Sequence, residues 1–449
     1  MAKYQKYAEY KDSGVEWLGN VPQHWALVPC RAVVDHIVEK NSNNAFDNYL
    51  SLMANIGVIK YEDKGDVGNK KPDDLSKCKI VRKGQLVINS MNYAIGSYGM
   101  SPYDGICSPV YIVLQAKKDT FLERFALRVF ENTPFQKYLA TFGNGILEHR
   151  AAINWEDIKN KYVPLPTLNE QKNILDFLDH ETTKIDNLIK KQQQLIELLK
   201  EKRQAVISHA VTKGLDPNVP MKDSGVEWLG EVPEHWRVSS IGYYAKVTNG
   251  TTPSKANLSY WDKQEIPWLS SGEVNQYYIV EASEYITKKA LEECSLELLP
   301  IGTVVMGMIG QGKTRGLSAI TRLEATINQN LAALEAYPKL NNEYLHYYLQ
   351  STYDYIREEG RGGNQAALNC EIIRKFPITL PPFEEQVKII KQIKNLSVTF
   401  KALIRKAESA IQLMQERRTA LISAAVTGKI DVRNWQAPTV TEAQTELSA

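Results

Sequence analysis

The sequence lacks an apolar run long enough to cross a membrane. A spanning helix needs roughly 18 or more consecutive apolar residues, and no run of that length occurs in the 449-residue chain. The first residues, MAKYQKYAEYKDS, also lack the apolar segment of a secretory signal. We therefore expect a cytoplasmic protein with no membrane partner.

Cysteine is scarce, and the few cysteines form no metal-binding pattern. There are five, Cys30, Cys78, Cys107, Cys294 and Cys370, and no two of them have CxxC spacing. An odd, scattered set is typical of reduced thiols and argues against a disulfide framework or a zinc knuckle. The seven histidines show no HExxH or HxH spacing. We therefore expect no metal in this chain.

An excess of charge of one sign is also missing. The 54 lysines and arginines nearly balance the 52 aspartates and glutamates, which leaves a net charge of +2. This balance does not by itself indicate a nucleic-acid partner, so a DNA-binding interpretation must account for it. The length allows two to four domains, each large enough to bury its own core.

What the sequence does contain is a repeat. Residues 11–25 read KDSGVEWLGNVPQHW, and residues 222–236 read KDSGVEWLGEVPEHW. A second pair of passages begins at LPTLNEQ and LPPFEEQ and ends at RQAVISHAVTKGLD and RTALISAAVTGKID. The two pairs have offsets of 211 and 215 residues. So long a period excludes a solenoid and indicates two duplicated units.

Two variable modules, 26–164 and 237–379, lie between the repeated passages. Both contain short β-forming runs punctuated by glycine. Towards its end each has a helix-like stretch, 121–140 or 341–359, followed by a Gly-rich loop and an extended segment. The pattern predicts an α+β fold for each module.

The passages after the modules predict two long helices. Mostly apolar residues recur every seven positions, as in the stripe of a coiled coil. The first stripe is Leu178, Ile185, Gln192, Leu199 and Val206, with Leu188, Ile189, Leu195 and Ile196 beside it. The second is Ile393, Phe400, Ala407, Met414 and Leu421, with Leu403, Ile404, Ala410 and Ile411 beside it.

Both helices have suitable ends. Pro166 and Pro381 precede them, and Gly214 and Gly428 follow their last turns. Roughly forty residues give a helix about 60 Å long. We expect the two helices to pair as an antiparallel coiled coil that closes the units into a pseudo-twofold arrangement. An ordinary core-facing helix is the alternative for either stripe.

One segment matches a nucleotide-binding motif. Residues 307–314, GMIGQGKT, fit the P-loop pattern GxxxxGK[ST] with Lys313 and Thr314 in place. A P-loop must open a helix whose N–H groups bind phosphate, whereas this chain continues with the β-like run RGLSAI. We predict a β-hairpin loop here. A P-loop nucleotide-binding enzyme remains an unlikely alternative.

Other catalytic signatures are incomplete. An amino-methyltransferase needs a polar residue before Pro-Pro-aromatic to hold the target amine, and Leu380 occupies that position. A metal-dependent nuclease needs clustered carboxylates with a lysine, and PDD at 72–74 is not followed by a strand carrying E-x-K. We therefore predict that the chain has no active site of its own.

The module loops carry amides, hydroxyls and cations suited to base edges and phosphates. In the first module the predicted DNA-binding residues are Lys70, Lys71, Asn92, Tyr93, Ser97, Tyr98, Asn144 and Arg150. In the second they are Thr251, Thr252, Ser254, Lys255, Ser270, Ser271, Gln311, Lys313, Thr314, Arg315, Arg361, Asn364 and Gln365. A solvated loop is the alternative for each one. Their occurrence at corresponding places in both modules favours a binding surface.

Taken together, four motifs resemble those of the specificity (S) subunits of type I restriction–modification enzymes, the HsdS family. They are GVEWLGxVPxHW, the opening NGTTPSKxNxxYW…IPWLSSGE, the exit GNQAALN…PITLPPxxEQ, and the helix end (K/R)RxxxISxAVT. The resemblance covers essentially residues 10–432. The first module departs from the usual opening, because it reads EKNSNNAFDNYLSLMANIGVI where the second reads GTTPSK.

The resemblance implies a prokaryotic, non-catalytic subunit with two target recognition domains, each recognising one half of a split double-stranded DNA site. It implies two modification subunits that use S-adenosylmethionine to methylate a flipped adenine. It also implies restriction subunits that use ATP and Mg²⁺. Because those partners would neutralise many phosphates, the near-neutral charge of this chain is compatible with DNA binding. A free-standing bivalent DNA-binding regulator is the alternative.

These inferences divide the chain into five parts. They are a first recognition domain with its signature (1–164), a central helix (165–216), a second recognition domain (217–379), a distal helix (380–432) and a disordered polar tail (433–449). The repeated Trp17 and Trp228 are candidate contacts to the modification subunits. Docking of each module onto the helices is the alternative for both tryptophans.

Overall fold

The computed structural model describes residues 4–67, 70–143, 152–310, 312–360 and 366–437, apart from the side chain of Ala94. The chain forms two compact units. Unit 1 comprises Met1–Gln193 and Ser409–Ala449, and unit 2 comprises Gln194–Glu408. Within the described ranges, no helix is both long enough and apolar enough to cross a membrane.

The first module is built from short strands and helices. Its strands are β1 (Tyr10–Asp12), β2 (Asn20–Pro22), β3 (Ala26–Pro29), β4 (Val34–Ile37), β5 (Leu50–Met53), β6 (Gly57–Lys60), β7 (Lys79–Val81), β8 (Leu86–Asn89), β9 (Tyr98–Met100), β10 (Gly105–Cys107), β11 (Tyr111–Ala116) and β12 (Tyr162–Leu165). Its helices are α1 (Cys30–Val33), α2 (Glu123–Phe130), α3 (Thr133–Ala140) and α4 (Trp155–Ile158). The long helix α5 (Leu168–Lys213) follows.

The second module has a similar composition of elements. Its strands are β13 (Met221–Asp223), β14 (Glu231–Pro233), β15 (Arg237–Ser240), β16 (Ala245–Asn249), β17 (Ile266–Leu269), β18 (Tyr278–Ile279), β19 (Glu284–Ile286), β20 (Val304–Gly307), β21 (Ser318–Thr321), β22 (Thr326–Ile327), β23 (Leu331–Ala336) and β24 (Pro377–Leu380). Its helices are α6 (Lys288–Glu293), α7 (Asn342–Ser351), α8 (Tyr353–Glu358) and α9 (Cys370–Lys375). The second long helix, α10 (Phe383–Val426), follows.

Each module has its own central sheet, and the two sheets have the same strand order although the sequences differ. The strand order is β4-β11-β8-β9 in unit 1 and β16-β23-β20-β21 in unit 2, where β18 adds a parallel edge strand. The four shared strands are antiparallel in both sheets. The α+β prediction is therefore confirmed for each module.

The chain enters and leaves each module through two strands that lie next to each other. β3 pairs antiparallel with β12, and β15 pairs antiparallel with β24. The first strand of each pair follows the tryptophan of the HW signature, and the second precedes a long helix. Because entry and exit are hydrogen-bonded neighbours, the chain between them can vary without disturbing the repeated frame.

Aromatic residues fill the core between each sheet and its helices. In unit 1, Phe121, Phe125, Phe130 and Phe135 are fully buried. In unit 2, Tyr344 and Tyr348 of α7 take this place. Since a fully buried tyrosine must satisfy its hydroxyl, the Tyr344 hydroxyl donates to the Val211 carbonyl oxygen at 2.9 Å.

The long helices run antiparallel, as predicted. In unit 1, the Asp186 carboxylate pairs with Arg418 at 3.0 Å, whereas the earlier Asn173 donates to the later Arg433 carbonyl oxygen at 3.3 Å. In unit 2, the hydroxyl of Thr379, just before α10, donates to the carbonyl oxygen of Val211, near the end of α5, at 2.7 Å. The end of α5 therefore lies beside the start of α10.

The heptad stripes are largely buried, but not every companion position is. Ile185, Ile196, Phe400, Ala407 and Leu421 are all buried. Three leucines predicted beside the stripes are 42–45% exposed, and for them the prediction is wrong: Leu188, Leu195 and Leu403. An isolated heptad pattern does not distinguish the two flanks of a stripe, of which only one faces the partner helix.

The packed chain extends past residue 433, where the predicted tail begins. The Trp435 ring contacts Phe177 edge-on, with ring centroids 5.5 Å apart, and lies 5.4 Å from the His180 ring. Residues 438–449, the rest of the predicted tail, lie outside the described residues.

Candidate nucleic-acid interface

The predicted loops of the second module meet at one edge of the central sheet. Because its strands are antiparallel, the carboxyl ends of β16 and β20 lie beside the amino ends of β21 and β23. Four loops either begin or end at this edge of the sheet or are hydrogen-bonded to it. We call them the unit 2 loop edge: residues 249–255, 269–272, 308–310 with 312–317, and 327–330.

Backbone hydrogen bonds join these loops. The Thr251 amide donates to the Ile327 carbonyl oxygen at 3.1 Å, and the Asn328 amide donates to that of Leu269 at 3.0 Å. The Met308 amide donates to the Asn330 carbonyl oxygen at 2.8 Å. The four loops therefore form one connected surface, although they come from separate parts of the sequence.

Nine predicted residues lie on the unit 2 loop edge. Four have exposed side chains: Thr251, Ser254, Lys255 and Lys313. Five are half-buried: Thr252, Ser270, Ser271, Thr314 and Arg315. The edge thus presents hydroxyls and cations, the groups that contact phosphates and base edges.

Two of the cations already have partners in the protein. Lys255 forms an ion pair with Glu284, and its ammonium lies 3.6 Å from the centroid of the Trp261 ring. Arg315 donates to the carbonyl oxygen of Ala366. The side chain of Lys313 is exposed. Lys313 is therefore the cation of this edge best placed for a phosphate.

The P-loop-like segment is a hairpin, as predicted. β20 and β21, on either side of it, pair antiparallel, with Val304 opposite Ile320. A strand, not a helix, follows the segment, so Lys313 and Thr314 lack the helix N-terminus that a P-loop uses to bind phosphate.

Unit 1 has a corresponding edge. The loop 90–97 joins β8 to β9 at the end of the sheet where β11 begins. Asn92 and Tyr98 are half-buried there. Burial raises the pKa of the Tyr98 hydroxyl, so this group stays protonated and can donate a hydrogen bond. We call residues 90–98 the unit 1 loop edge.

Two predicted residues of the unit 1 loop edge lie in the core. Tyr93 is 3% exposed and its hydroxyl donates to the Phe130 carbonyl oxygen. Ser97 is also buried. The prediction that these two side chains contact DNA is therefore wrong, because the hairpin turns them inward against α2 and the sheet.

The two predicted lysines of unit 1 belong to another segment. Lys70 and Lys71 are exposed on the chain that leads to β7. The Lys71 ammonium donates to the Asp47 carbonyl oxygen at 3.3 Å. Six other predicted residues lie outside the described residues: Asn144, Arg150, Gln311, Arg361, Asn364 and Gln365.

Both hairpins are tied to the module exit in the same way. The Ile153 amide donates to the Ser90 carbonyl oxygen at 3.0 Å, and the Leu368 amide donates to that of Met308 at 2.9 Å. The next residue, Asn154 or Asn369, caps the short helix α4 or α9. Asn154 and Asn369 are therefore helix caps that fix each exit beside its loop edge.

Sequence reasoning missed one exposed residue of the unit 2 loop edge. Gln329 lies between β22 and β23, and its side-chain oxygen accepts a hydrogen bond from the Thr252 hydroxyl. A glutamine amide can pair with the edge of adenine through two hydrogen bonds. The polar run NQN between two apolar strands is the signal that could have identified it.

The repeated HW signature fixes each module onto its long helix. In unit 1, the indole of Trp25 donates to the Glu170 carboxylate at 3.2 Å, and His24 lies 2.9 Å from the same carboxylate. In unit 2, Trp236 donates to Glu385 at 3.1 Å. The glutamate stands in the first turn of α5 or α10. The repeated motifs therefore assemble the frame that carries the loop edges.

The earlier tryptophan of each signature packs within its own module. Trp17 is buried, its indole donates to the Tyr162 carbonyl oxygen at 3.2 Å, and its ring contacts Phe135. Trp228 stacks on Tyr355 with ring centroids 4.4 Å apart. The partner-contact prediction is therefore wrong for Trp17, which docks the module instead. Trp228 is half-buried in the same kind of contact.

Comparison with known proteins gives one consistent family. A family model described as the type I restriction modification DNA specificity domain matches residues 35–198 and 233–412. The type I restriction enzyme MjaX specificity subunit of Methanocaldococcus jannaschii is 23% identical over 435 residues, which cover 93% of this chain and 96% of that protein. The MjaIX specificity subunit of the same organism is 30% identical over 166 residues, 36% of this chain and 38% of that protein.

Two solved structures share the fold. One belongs to work described as the structural basis of complex assembly and conformational transition of the type I R-M system. It has a TM-score of 0.66 at 17% identity and covers 91% of this chain and 99% of that chain. The HsdS subunit of Thermoanaerobacter tengcongensis has a TM-score of 0.54 at 17% identity and covers 91% and 98%.

Proposed function

The chain belongs to the type I restriction–modification DNA specificity family, and we propose that each of its two units recognises one half of a split DNA target through its loop edge. As a member of this family, the chain is the DNA sequence-recognition component of a type I system and not a catalytic subunit.

The observation that carries the proposal is the shared sheet with unlike loops. The two modules have the same strand order, and in both of them the hairpin loop after the third strand of that order reaches the same edge. The sequences of the two hairpins differ, SMNYAIGS in one and MIGQGKTRGL in the other. A common frame with different loops is what two readers of different half-sites require.

Family membership suggests which partners would supply the catalytic steps. Methylation of adenine would come from two modification subunits that bind S-adenosylmethionine and flip the base. Cleavage would come from restriction subunits that use ATP and Mg²⁺. These partners would also supply phosphate contacts, which accounts for a net charge of only +2 in a DNA-recognition subunit. A subunit that acts on double-stranded DNA within such a system would work in the prokaryotic cytoplasm.

A gel-shift titration with and without a co-expressed modification subunit tests this assignment. We expect weak binding by the chain alone and tight, sequence-specific binding by the complex, because the complex adds phosphate contacts. Equally tight specific binding by the chain alone would contradict the proposal and would favour a free-standing bivalent regulator.

A further inference from the structure

Two side chains of α8 donate hydrogen bonds to the hairpin loop of unit 2. Arg357 donates to the carbonyl oxygens of Gly312 and Arg315 at 2.6 and 3.0 Å. The Tyr353 hydroxyl donates to the Lys313 carbonyl oxygen at 2.7 Å. Three of the four carbonyl groups of residues 312–315 therefore accept hydrogen bonds from one short helix.

The two holding side chains also orient each other. Tyr353 and Arg357 are four residues apart, which places them on the same face of α8. The Arg357 guanidinium donates to the Tyr353 hydroxyl at 3.0 Å. A planar guanidinium has several N–H donors in a fixed geometry, so it can bind two carbonyl groups and a hydroxyl at once.

Without such bonds the loop would have many conformations. Gly310 and Gly316 have φ values of +137° and +85°, in a region that glycine adopts easily, and Gly312 lies between them. Ordering a glycine-rich loop costs conformational entropy. The described bonds from α8 to residues 312–315 end on main-chain oxygens, and the side chain of Lys313 is exposed at the loop edge.

We propose that Tyr353 and Arg357 are positioning residues, which hold residues 312–315 in the DNA-binding conformation before DNA arrives and do not contact DNA themselves. The inference rests on the proposed function, in which this loop recognises the second half-site. A loop that is already ordered in the free protein loses less entropy on binding, so its affinity for the site is higher.

Unit 1 holds the corresponding loop with different residues. The Tyr93 hydroxyl donates to the Phe130 carbonyl oxygen at the end of α2. The Asn55 amide donates to the Gly96 carbonyl oxygen at 2.9 Å. Two unrelated sets of bonds at the same place in the fold indicate that a fixed hairpin loop is a requirement of both modules.

The test measures DNA affinity as a function of salt for the full chain in complex with its modification subunits. The probe is a duplex carrying the sequence recovered from a randomised library by the wild-type complex. The variants are Tyr353→Phe and Arg357→Gln, with Lys313→Ala as the phosphate-contact reference. Arg322→Gln is the matched control, because it removes a cation after β21, at the other end of the sheet.

The expected result separates positioning from contact. Tyr353→Phe and Arg357→Gln should each weaken binding by about three- to ten-fold, which corresponds to one or two newly mobile groups. Their slope of log affinity against log salt should equal that of the wild type. Lys313→Ala should reduce that slope by about 0.9, since one phosphate contact is lost. Arg322→Gln should change neither quantity.

Each contrary outcome has a separate meaning. A reduced salt slope for Arg357→Gln would show a direct phosphate contact and would overturn the positioning role. Unchanged affinity in both α8 variants would also overturn it, while a weakened Lys313→Ala complex would leave the proposed function intact. Failure to recover any sequence from the library would instead reject the proposed function. If Arg357→Gln lowers the thermal unfolding midpoint, its loss of affinity could come from partial unfolding. The affinity of Tyr353→Phe then tests the positioning role, since this variant removes a single hydroxyl.

Discussion

At the scale of single residues, His346 shows how strongly the core of unit 2 excludes charge. Its Nδ1 atom lies 2.9 Å from the Ser318 hydroxyl oxygen, and its Nε2 atom is buried with no hydrogen-bond partner among the described residues. Burial lowers the pKa of this imidazole from 6.5 to about 3, although nearby Glu343 opposes the shift. The neutral ring is therefore the form that the fold accepts.

The lowered pKa of His346 predicts that unit 2 loses stability in acid. Between pH 6.5 and 3 the unfolded chain binds a proton that the folded protein does not, so the free energy of unfolding falls as the pH falls through that window. At pH 5 the loss from this residue is about 2 kcal/mol. We expect His346→Gln to remove this part of the pH dependence.

Thermal unfolding at pH 7 and pH 5 checks the prediction. The midpoint should fall further for the wild type than for His346→Gln. Other titrating groups act equally in both proteins, so the difference isolates His346. The same fall in both proteins would contradict the prediction.

At the scale of single residues, the sequence predicts a loop but not the orientation of its side chains. The sequence predicts a module loop around residue 93, and the structure has a loop at 90–97 between β8 and β9. Tyr93 and Ser97 nevertheless point into the core. Which side chains of a loop face solvent depends on tertiary contacts, here with α2, and these are not encoded in the spacing of neighbouring residues.

At the scale of elements, the ends of the long helices are set by the HW signatures. Gly428 follows α10 with a φ of +72°, and a Cβ atom there would lie 2.3 Å from Cδ of Pro22. Gly214 follows α5 with a φ of +84°, and its nearest neighbour would be the Trp236 ring at 3.3 Å. Both glycines follow a helix in the left-handed conformation. A Cβ atom at Gly428 would collide with the rigid ring of Pro22, whereas one at Gly214 would meet only a tight contact with Trp236.

The difference predicts unequal effects of the same substitution. Gly214→Ala should lower the free energy of unfolding by about 1–2 kcal/mol through backbone strain. Gly428→Ala has the same strain and must also displace Pro22, so its loss should be larger. Thermal unfolding of the two variants measures this order. Equal losses would show that the contact with Pro22 relaxes freely.

The elements could be predicted where local pattern decides them. Heptad spacing and flanking Pro and Gly located α5 and α10 within a few residues. The apolar runs beside GMIGQGKT indicated a hairpin, which β20 and β21 form. Strand order could not be predicted, because the pairing of β11 with β4 joins residues far apart in the sequence. The meeting of four loops at the unit 2 loop edge follows from that order.

At the scale of the whole chain, the repeated segments form the structural frame of each unit, and the segments that differ form the surfaces proposed to recognise DNA. The repeated motifs meet one another in each unit, as Trp25 meets Glu170 and Trp236 meets Glu385. The unlike sequences form the loop edges. Because each loop edge lies within one unit, we expect a change in one edge to alter recognition of one half-site only.

Selection from a randomised duplex library, with sequencing of the bound fraction, tests this account most directly. The wild-type complex should select two specific half-sites separated by a spacer of any sequence. Gln329→Ala should relax the preference in one half only, and Asn92→Ala with Tyr98→Phe should relax it in the other half only. A single continuous site, or variants of one unit that relax both halves together, would contradict the account.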